Sequence, residues 1–222
     1  MNVLDSLDRA RAELDVLEHP FYRRWSAGEL SASELARYAG EYRHAVIALA
    51  HASTRAAQKA GPTCAAPLRA HAREEAEHIE LWEHFAGAAG APARKDVARD
   101  PLPETLACVR TWTAGESLLE HLAVLYAIEA GQPGVSSTKL EGLVKHYGYS
   151  PEGPAVEYFT VHAVRDREHA QQARELIGQL HADSEVAGRS ATRMVRRARA
   201  ALRGNWRLLD GVEATVPAGG SA

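Results

Sequence analysis

The stretch Tyr158–His169 constrains this chain more than any other part of its sequence. It lies in a run, residues 155–177, that contains neither glycine nor proline. Ala, Arg, Glu, Gln and Leu dominate the second half of the run, which predicts a helix. On a helix, His162, Asp166 and His169 occupy positions i, i+4 and i+7 and share one face. Three side chains of types that bind metal ions are therefore expected to point in the same direction.

The composition excludes several classes of partner. The 222 residues include 26 Lys and Arg against 29 Asp and Glu, and this formal charge of -3 gives no electrostatic reason to expect nucleic acid or an anionic membrane. Cys64 and Cys108 lie far apart without CxxC spacing, which argues against a disulfide framework or a zinc knuckle. No signal peptide or membrane span is recognisable. We therefore expect a cytoplasmic protein with a small-molecule substrate. The sequence leaves open whether the protein forms a homodimer.

Helical periodicity extends over most of the chain. Helices are predicted at about residues 3–17, 31–60, 67–87, 104–112, 116–130, 136–147, 155–182 and 186–209, and Ser31 to Glu34 reads as a capping box. No stretch shows strand alternation, and no repeat of fixed period is present. The predicted fold class is all-α, with seven or eight helices in one domain, residues 1–211, and a disordered tail, residues 212–222.

Four of these predicted helices carry the ligand pattern of di-iron helix bundles. In such bundles two helices each provide a Glu, and two others each provide a carboxylate-x-x-His pair, because positions i and i+3 project together into the core. This mixed nitrogen and oxygen set suits iron or manganese and is too rich in oxygen for structural zinc. In chain order, the predicted metal ligands are Glu41, Glu75, His78, Glu129, His162, Asp166 and His169.

The evidence for individual ligands differs. Glu129 is an isolated acid at the end of the apolar run 118–128, where an unpaired carboxylate would be costly to bury. Glu41 reads equally well as a surface acid. Glu74 competes with Glu75, because either can face His78 at i+4 or i+3.

Longer motifs, between about residues 17 and 180, resemble the haem-oxygenase-like di-iron oxidase family. Within that family they are similar to the group of the chlamydial death-domain-associating protein, whose members are implicated in making para-aminobenzoate. The motifs are His19-Pro20-Phe21-Tyr22-x-x-Trp25-Ser26-x-Gly28-Glu29-Leu30, Tyr38-Ala39, His78-Ile79-Glu80-Leu81-Trp82, Gly115-Glu116-Ser117-Leu118, Glu129, Tyr147-Gly148-Tyr149-Ser150, and Tyr158-Phe159-Thr160-x-His162-x3-Asp166-x2-His169.

The resemblance implies a bundle similar to TenA and PqqC. It also implies that iron is bound at five of the positions predicted above, which are His78, Glu129, His162, Asp166 and His169. It also implies catalytic roles for Tyr22, as a sacrificed substrate, and for Lys139, as a nitrogen source. The chain departs from the group at two positions. His71 stands where the group has a glutamate two turns before the third-helix histidine, and Ile128 replaces an expected tyrosine. The spacing of Glu75 and His78 is closer to that of the family's fatty-acid-decarboxylating member.

The expected function is that of a non-haem di-iron oxidase or oxygenase. It would use two iron ions, with manganese as an alternative, O2 as co-substrate and an external electron donor to oxidise a small amine, amino acid or fatty acid. One alternative is a self-sacrificing para-aminobenzoate synthase that uses Tyr22 and Lys139. Another is a metal-free TenA-like hydrolase or helical binding protein. A hydrolase of that kind needs a cysteine nucleophile, and Cys64 and Cys108 are expected in a loop and on a peripheral helix.

Overall fold

The computed structural model describes residues 2–96, 100–182 and 187–214, and within these ranges the chain is helical without any strand. The all-α prediction is confirmed. None of the described helices is both long enough and apolar enough for a membrane span. The helices are α1 (Val3–Glu13), α2 (Pro20–Ala27), α3 (Ala32–Lys59), α4 (Ala65–Ala88), α5 (Pro103–Thr113), α6 (Leu118–Glu129), α7 (Gln132–His146), α8 (Pro154–Ala182) and α9 (Ala187–Ala214), with short 3-10 turns at Val16–Glu18 and Arg94–Asp96.

Helix α2 is absent from the sequence prediction, which leaves residues 18–30 without a helix. Pro20 instead occupies the first turn of α2, where its missing N–H costs no hydrogen bond. The His19 side chain caps the helix, since its Nδ1 accepts a hydrogen bond from the Phe21 N–H at 3.1 Å. Gly28 ends the helix in the left-handed region with φ 75°. Local capping therefore produces a helix from a segment that has a weak helical pattern.

Two other helix ends differ from the prediction. Helix α7 begins at Gln132, inside the segment predicted to stop the preceding helix, because Pro133 is accommodated in its first turn. Helix α9 continues to Ala214, so residues 212–214 are helical and Val212 is buried, contrary to the predicted tail. The rest of that predicted tail, residues 215–222, lies outside the described residues.

Helix α8 occupies the centre of the packing. It contacts α4, α6 and α7, while the long helix α3 packs along α4 and also contacts α5 and α6. The N-terminus of α3 has the predicted capping box, in which Ser31 Oγ accepts from the Glu34 N–H and Glu34 Oε2 accepts from the Ser31 N–H. The contacts of α8 with α4 and α6 place one face of each of these three helices around a shared interior.

Three buried tryptophans connect the helices in pairs. The indole N–H of Trp25 donates to the Lys139 carbonyl at 3.1 Å and joins α2 to α7. Trp82 donates to the Ala39 carbonyl at 2.9 Å and joins α4 to α3. Trp112 joins α5 to α9 through a bond of 3.1 Å. Each ring buries a large apolar area and still satisfies its one donor, so each tryptophan fixes the position of a neighbouring helix.

The contact between Trp25 and Gly142 provides a test of this packing. A Cβ atom added at Gly142 would lie 2.6 Å from Trp25 Cδ1, so Gly142→Ala requires α2 or α7 to move. We expect a loss of about 1–3 kcal/mol in the free energy of unfolding, measured by urea denaturation. The matched control is Gly178→Ala in α8, where the added Cβ meets nothing within 4 Å and should stabilise by up to ~1 kcal/mol. Equal effects of the two substitutions would contradict this packing.

Candidate active site

Three helices bring seven side chains with metal-binding groups into one buried cluster. Helix α4 contributes three of them, α6 ends in one, and α8 contributes the three that were predicted from their i, i+4 and i+7 spacing. None of the seven is more than 7% exposed. They are His71, Glu75, His78, Glu129, His162, Asp166 and His169.

Within this cluster the donor atoms form two groups that share Glu75. In the first group, donor atoms of His71, Glu75, Glu129 and His169 all lie within 4.8 Å of one another. The shortest separation in it, 2.9 Å between His71 Nε2 and Glu129 Oε1, lacks the alignment of a hydrogen bond. In the second group, donor atoms of Glu75, His78 and His162 also lie within 4.8 Å of one another. A carboxylate common to two groups of donors is suited to lie between two ions.

Most of the polar atoms that face into the cluster make no hydrogen bond within the described chain. Nine buried side-chain atoms in it make no hydrogen bond within the described structure, and they include both oxygens of Glu129 and both oxygens of Asp166. Buried carboxylate oxygens are normally hydrogen-bonded or bound to a cation, because leaving them unsatisfied is costly. The atoms are all oxygens or imidazole nitrogens, which is a donor set that iron accepts. The residues present therefore fit a metal centre.

Neighbouring groups orient the histidines so that one ring nitrogen faces the cluster. His162 Nδ1 lies 2.7 Å from the Tyr158 carbonyl, which leaves Nε2 toward Glu75. His169 Nε2 lies 3.2 Å from a Glu74 oxygen, and its Nδ1 faces inward. Glu74 is itself held by Arg165, whose Nη2 donates at 2.6 Å. Ligand histidines are commonly fixed in this way by a carbonyl or carboxylate. The geometry thus separates the two acids that sequence left open: Glu75 faces the donors, and Glu74 supports a histidine from behind.

Charge interactions in the cluster are strong. Burial alone would raise the pKa of Glu75, but the imidazoles of His162 and His78 lower it below the usual range. The pKa of Glu129 is raised, because burial outweighs the effect of His71. Burial acts to lower the pKa of His71, yet Glu129 raises it to about 9. Without an ion, protons on the imidazoles thus balance part of the carboxylate charge.

Two assignments change once the helices are in place. Glu41, predicted as a ligand, lies outside the cluster. Its Oε2 accepts from the Leu102 N–H at 3.1 Å and from the Thr105 hydroxyl, so it caps the N-terminus of α5. Three helices, and not four, therefore surround the cluster. His71, which is not among the predicted ligands, belongs to the first group of donors.

A signal for His71 was present in the sequence. His71, Glu75 and His78 repeat on α4 the spacing of His162, Asp166 and His169 on α8, with an acid four residues and a histidine seven residues after the first histidine. Both triplets then line one helical face. Of the predicted ligands, Asp166 belongs to neither group of donors, although it is fully buried and its Oδ1 lies 3.7 Å from His169 Nδ1.

Lys139 is buried in an aromatic box beside this cluster. Its Nζ lies over five rings, at 4.6 Å from the centre of Tyr42, 5.1 Å from Tyr22 and 5.3 Å from Tyr38, with Trp82 and Phe159 completing the box. The hydroxyls of Tyr22 and Tyr38 are 2.9 Å apart. Burial lowers the pKa of Lys139 to about 7, and no carboxylate of the described chain offsets that effect. A large fraction of this amine is therefore neutral near pH 7.

The aromatic box and the metal-binding cluster share walls. Trp82 lies one helical turn after His78 on α4, and its ring is 4.9 Å from the ring of Tyr158. Tyr158 in turn stacks on His162, with ring centres 3.9 Å apart. Tyr42 also lies close enough that the charge of Asp166 contributes to raising its pKa, behind the larger effect of burial. The amine and the cluster are parts of one buried site.

Comparison with known proteins assigns the chain to a family. The model of a haem-oxygenase-type family, described as iron-containing redox enzymes, matches residues 41–204, which include every residue of the cluster. The chain belongs to this family. It is accordingly an iron-containing oxidoreductase with a haem-oxygenase-like fold, as the sequence motifs predicted.

Curated relatives of this haem-oxygenase-like enzyme share one name. The chain is 34% identical over 204 residues to the 4-aminobenzoate synthase of Chlamydia muridarum, an alignment that covers 88% of this chain and 86% of the relative. It is 30% identical over 226 residues to the 4-aminobenzoate synthase of Nitrosomonas europaea, with coverage of 94% and 89%. The similarity extends over nearly the full length of all three chains.

Solved structures confirm the fold. A TenA homologue from Pseudomonas syringae superposes with a TM-score of 0.81 over 96% of this chain and 91% of its own, at 17% identity. A domain from Shewanella denitrificans, described as having a heme oxygenase-like fold, superposes with a TM-score of 0.74 at 18% identity and covers 96% of this chain and 93% of its own. At these identities the likeness concerns the fold alone.

Two glutamates provide a matched test of the metal-binding cluster. We expect Glu75→Gln to weaken ferrous ion binding by about 100-fold or more, because it removes the carboxylate shared by both groups of donors. Glu41→Gln should bind iron like the wild type, since glutamine still offers an acceptor oxygen to α5. Equilibrium dialysis with Fe(II) under anaerobic conditions measures both. Iron loss in Glu41→Gln, or its retention in Glu75→Gln, would contradict the placement of these residues.

Proposed function

We propose that this iron enzyme makes 4-aminobenzoate from two of its own side chains. The ring and Cβ of Tyr22 would become the aromatic acid, and Lys139 would provide the amino nitrogen. The observation that carries this proposal is the buried, uncompensated amine of Lys139 over the Tyr22 ring, beside the metal-binding cluster. The name of the curated relatives supports it.

The metal-binding cluster would hold two iron ions. His71, Glu129 and His169 would bind one ion, His78 and His162 the other, with Glu75 between them and Asp166 as a further oxygen donor at the edge. When bound, the irons would supply electron transfer to O2, and an external donor would replace the electrons used. The two buried free cysteines accord with a reducing cytoplasm as the place of reaction.

The overall change in bonds defines what the site must do. Conversion of a tyrosine side chain to 4-aminobenzoate replaces the aryl C–O bond with an aryl C–N bond, and the aryl oxygen leaves as water. The nitrogen comes from Lys139, whose Cε–Nζ bond breaks as Cε is oxidised to an aldehyde. The conversion also breaks the Cα–Cβ bond as Cβ is oxidised to the carboxylate. O2 is the oxidant for this change. Oxidation must precede attack on the ring, because a neutral phenol is electron-rich and does not accept an amine.

The residues of the aromatic box serve these steps. Lys139 requires a free electron pair on nitrogen, and burial provides it by lowering the pKa of the amine to about 7. Burial also raises the pKa of Tyr22 well above its ordinary value, so its phenol stays protonated. Tyr38 has its hydroxyl 2.9 Å from that of Tyr22, and this hydrogen bond holds the Tyr22 hydroxyl in a fixed orientation. The fully buried rings exclude water, which would otherwise compete with the amine.

Substitution of Tyr22 tests the proposal. The wild type, loaded with Fe(II) and given O2 and a reductant, should release at most one 4-aminobenzoate per chain, and Tyr22→Phe should release none. Protein labelled with 13C-tyrosine should yield labelled product by mass spectrometry. Tyr149→Phe, a matched substitution outside the aromatic box, should behave like the wild type. Unlabelled product, or product from Tyr22→Phe at the wild-type yield, would favour oxidation of an external metabolite by the same metal centre.

The titration of Lys139 provides a second test. Product formation should rise as the pH increases through about 7, because only the neutral amine reacts. Lys139→Met should form no product and should be more stable than the wild type. The folded-state pKa lies below the unfolded value, so wild-type stability should rise between pH 7 and 9 relative to the variant, by about 1.4 kcal/mol per pH unit. Urea denaturation at several pH values measures this difference, and a difference that does not change with pH would contradict a buried neutral amine.

A further inference from the structure

A cavity of about 370 Å³ lies outside the metal-binding cluster, between α1, α6, α7, α9 and the turn at residues 15–17. Its size is that of a small-molecule site. Apolar side chains form much of its wall, and Leu14, Ile128, Val135 and Leu202 are among them. Nothing in the metal chemistry described above requires this cavity.

The inner end of the cavity reaches the aromatic box. Gln132 lines the cavity and donates from Nε2 to the Tyr42 hydroxyl at 3.3 Å. Asn205, which also lines it, lies close enough to Tyr42 to lower the pKa of its hydroxyl, against the larger effect of burial. The other side of Tyr42 faces Lys139, whose Nζ lies 4.6 Å from the ring centre. A molecule in the cavity is thus separated from the reactive amine by the Tyr42 side chain.

Among the described residues, two polar atoms of the cavity lining are buried and make no hydrogen bond. One is a donor, the Nε–H of Arg11, and the other is an acceptor, Oδ1 of Asn205. Asn205 is only 6% exposed, so bulk water does not satisfy it. Buried polar atoms of this kind normally have a partner, so both side chains keep unused hydrogen-bonding capacity at the cavity wall.

The charge of Arg11 is only weakly paired within the described chain. Its Nη2 donates to the Ala130 carbonyl at 2.8 Å, which holds the guanidinium at the cavity wall. The two acids of the lining are engaged elsewhere: Asp8 mainly by Tyr126 and by Arg174 at 2.9 Å, with Arg11 Nη1 only at 3.5 Å, and Asp15 by the Leu17 N–H at 3.0 Å. The cavity therefore offers a cationic donor, an amide acceptor and an apolar wall.

From this we infer that the cavity binds a small aromatic carboxylate that carries an amino group para to the acid. The carboxylate would accept from Arg11, the amine would donate to Asn205, and the ring would contact the apolar wall. Resting on the proposed function, the ligand is 4-aminobenzoate itself, held after its formation behind Tyr42 and before its release. The cavity would thus be a product site, which 4-aminobenzoate occupies before it leaves the protein.

Binding of 4-aminobenzoate to the full-length protein tests this inference without turnover. Isothermal titration calorimetry should show 4-aminobenzoate binding about tenfold more tightly than benzoate, which lacks the amine. Aniline, which lacks the carboxylate, should bind at least about tenfold more weakly than 4-aminobenzoate. These comparisons use the wild type alone and hold even if a variant fails to fold. Equal affinities for the three compounds, or no binding at millimolar concentration, would overturn the inference.

Variants then assign each end of the ligand. Asn205→Leu should weaken 4-aminobenzoate by about tenfold and leave benzoate unchanged, whereas Arg11→Met should weaken both acids and leave aniline unchanged. Arg199→Met is the matched control, because Arg199 pairs with Glu13 at 2.7 Å and does not line the cavity. Losses that are the same for all three compounds would contradict the assigned contacts.

The outcome is separable from that of the proposed function. Tyr22→Phe should bind 4-aminobenzoate as the wild type does, since Tyr22 does not line the cavity. If Tyr22→Phe forms no product and the wild type fails to bind 4-aminobenzoate, the inference of a product site is wrong and the proposed function stands. If selective binding is observed while Tyr22→Phe still forms product, the cavity is confirmed and the proposed function is wrong.

Discussion

The attraction between buried carboxylates and a cation is the interaction on which this structure depends. Glu75, Glu129 and Asp166 are removed from water between three helices, and most of their oxygens have no hydrogen-bond partner in the described chain. Each unpaired buried carboxylate costs several kcal/mol, whereas a domain of this size is stable by only about 5–15 kcal/mol in total. Protonated imidazoles offset part of that cost in the absence of metal. Metal ions offset it more fully and displace those protons, so metal binding and folding are coupled.

The same burial explains the aromatic box. Helices α4 and α8 each carry ligands on one turn and an aromatic residue on the adjacent turn, so the dry interior continues from the cluster to Lys139. There the low polarity acts on a single amine and lowers its pKa. One physical condition, exclusion of water, thus favours both a bound cation at the cluster and the neutral form of the Lys139 amine.

Much of the fold and part of the site could be predicted from the sequence, because they depend on local patterns. The triplet on α8, the pair Glu75 and His78, and the isolated acid Glu129 were found from helical spacing and from the cost of burying a lone carboxylate. His71 was not predicted as a ligand, although α4 repeats the spacing of α8, because the group that the motifs resemble has a glutamate at that position. Its inclusion makes the donor set richer in nitrogen than predicted.

Other features depend on how helices are rotated and packed, which spacing does not determine. Glu41 has a plausible position along α3, but the rotation of that helix directs its carboxylate to the end of α5. The box around Lys139 combines rings from α2, α3, α4 and α8, so it exists only after those helices have packed. Helix α2 itself depends on a histidine cap and a proline that a sequence pattern reads as a break.

Iron-edge anomalous diffraction from crystals grown anaerobically with Fe(II) tests the central claim most directly. Two peaks are predicted, one among His71, Glu129 and His169 and one beside His78 and His162, with Glu75 in contact with both. A single peak, no peak, or iron bound at Glu41 would contradict a two-ion centre built from α4, α6 and α8.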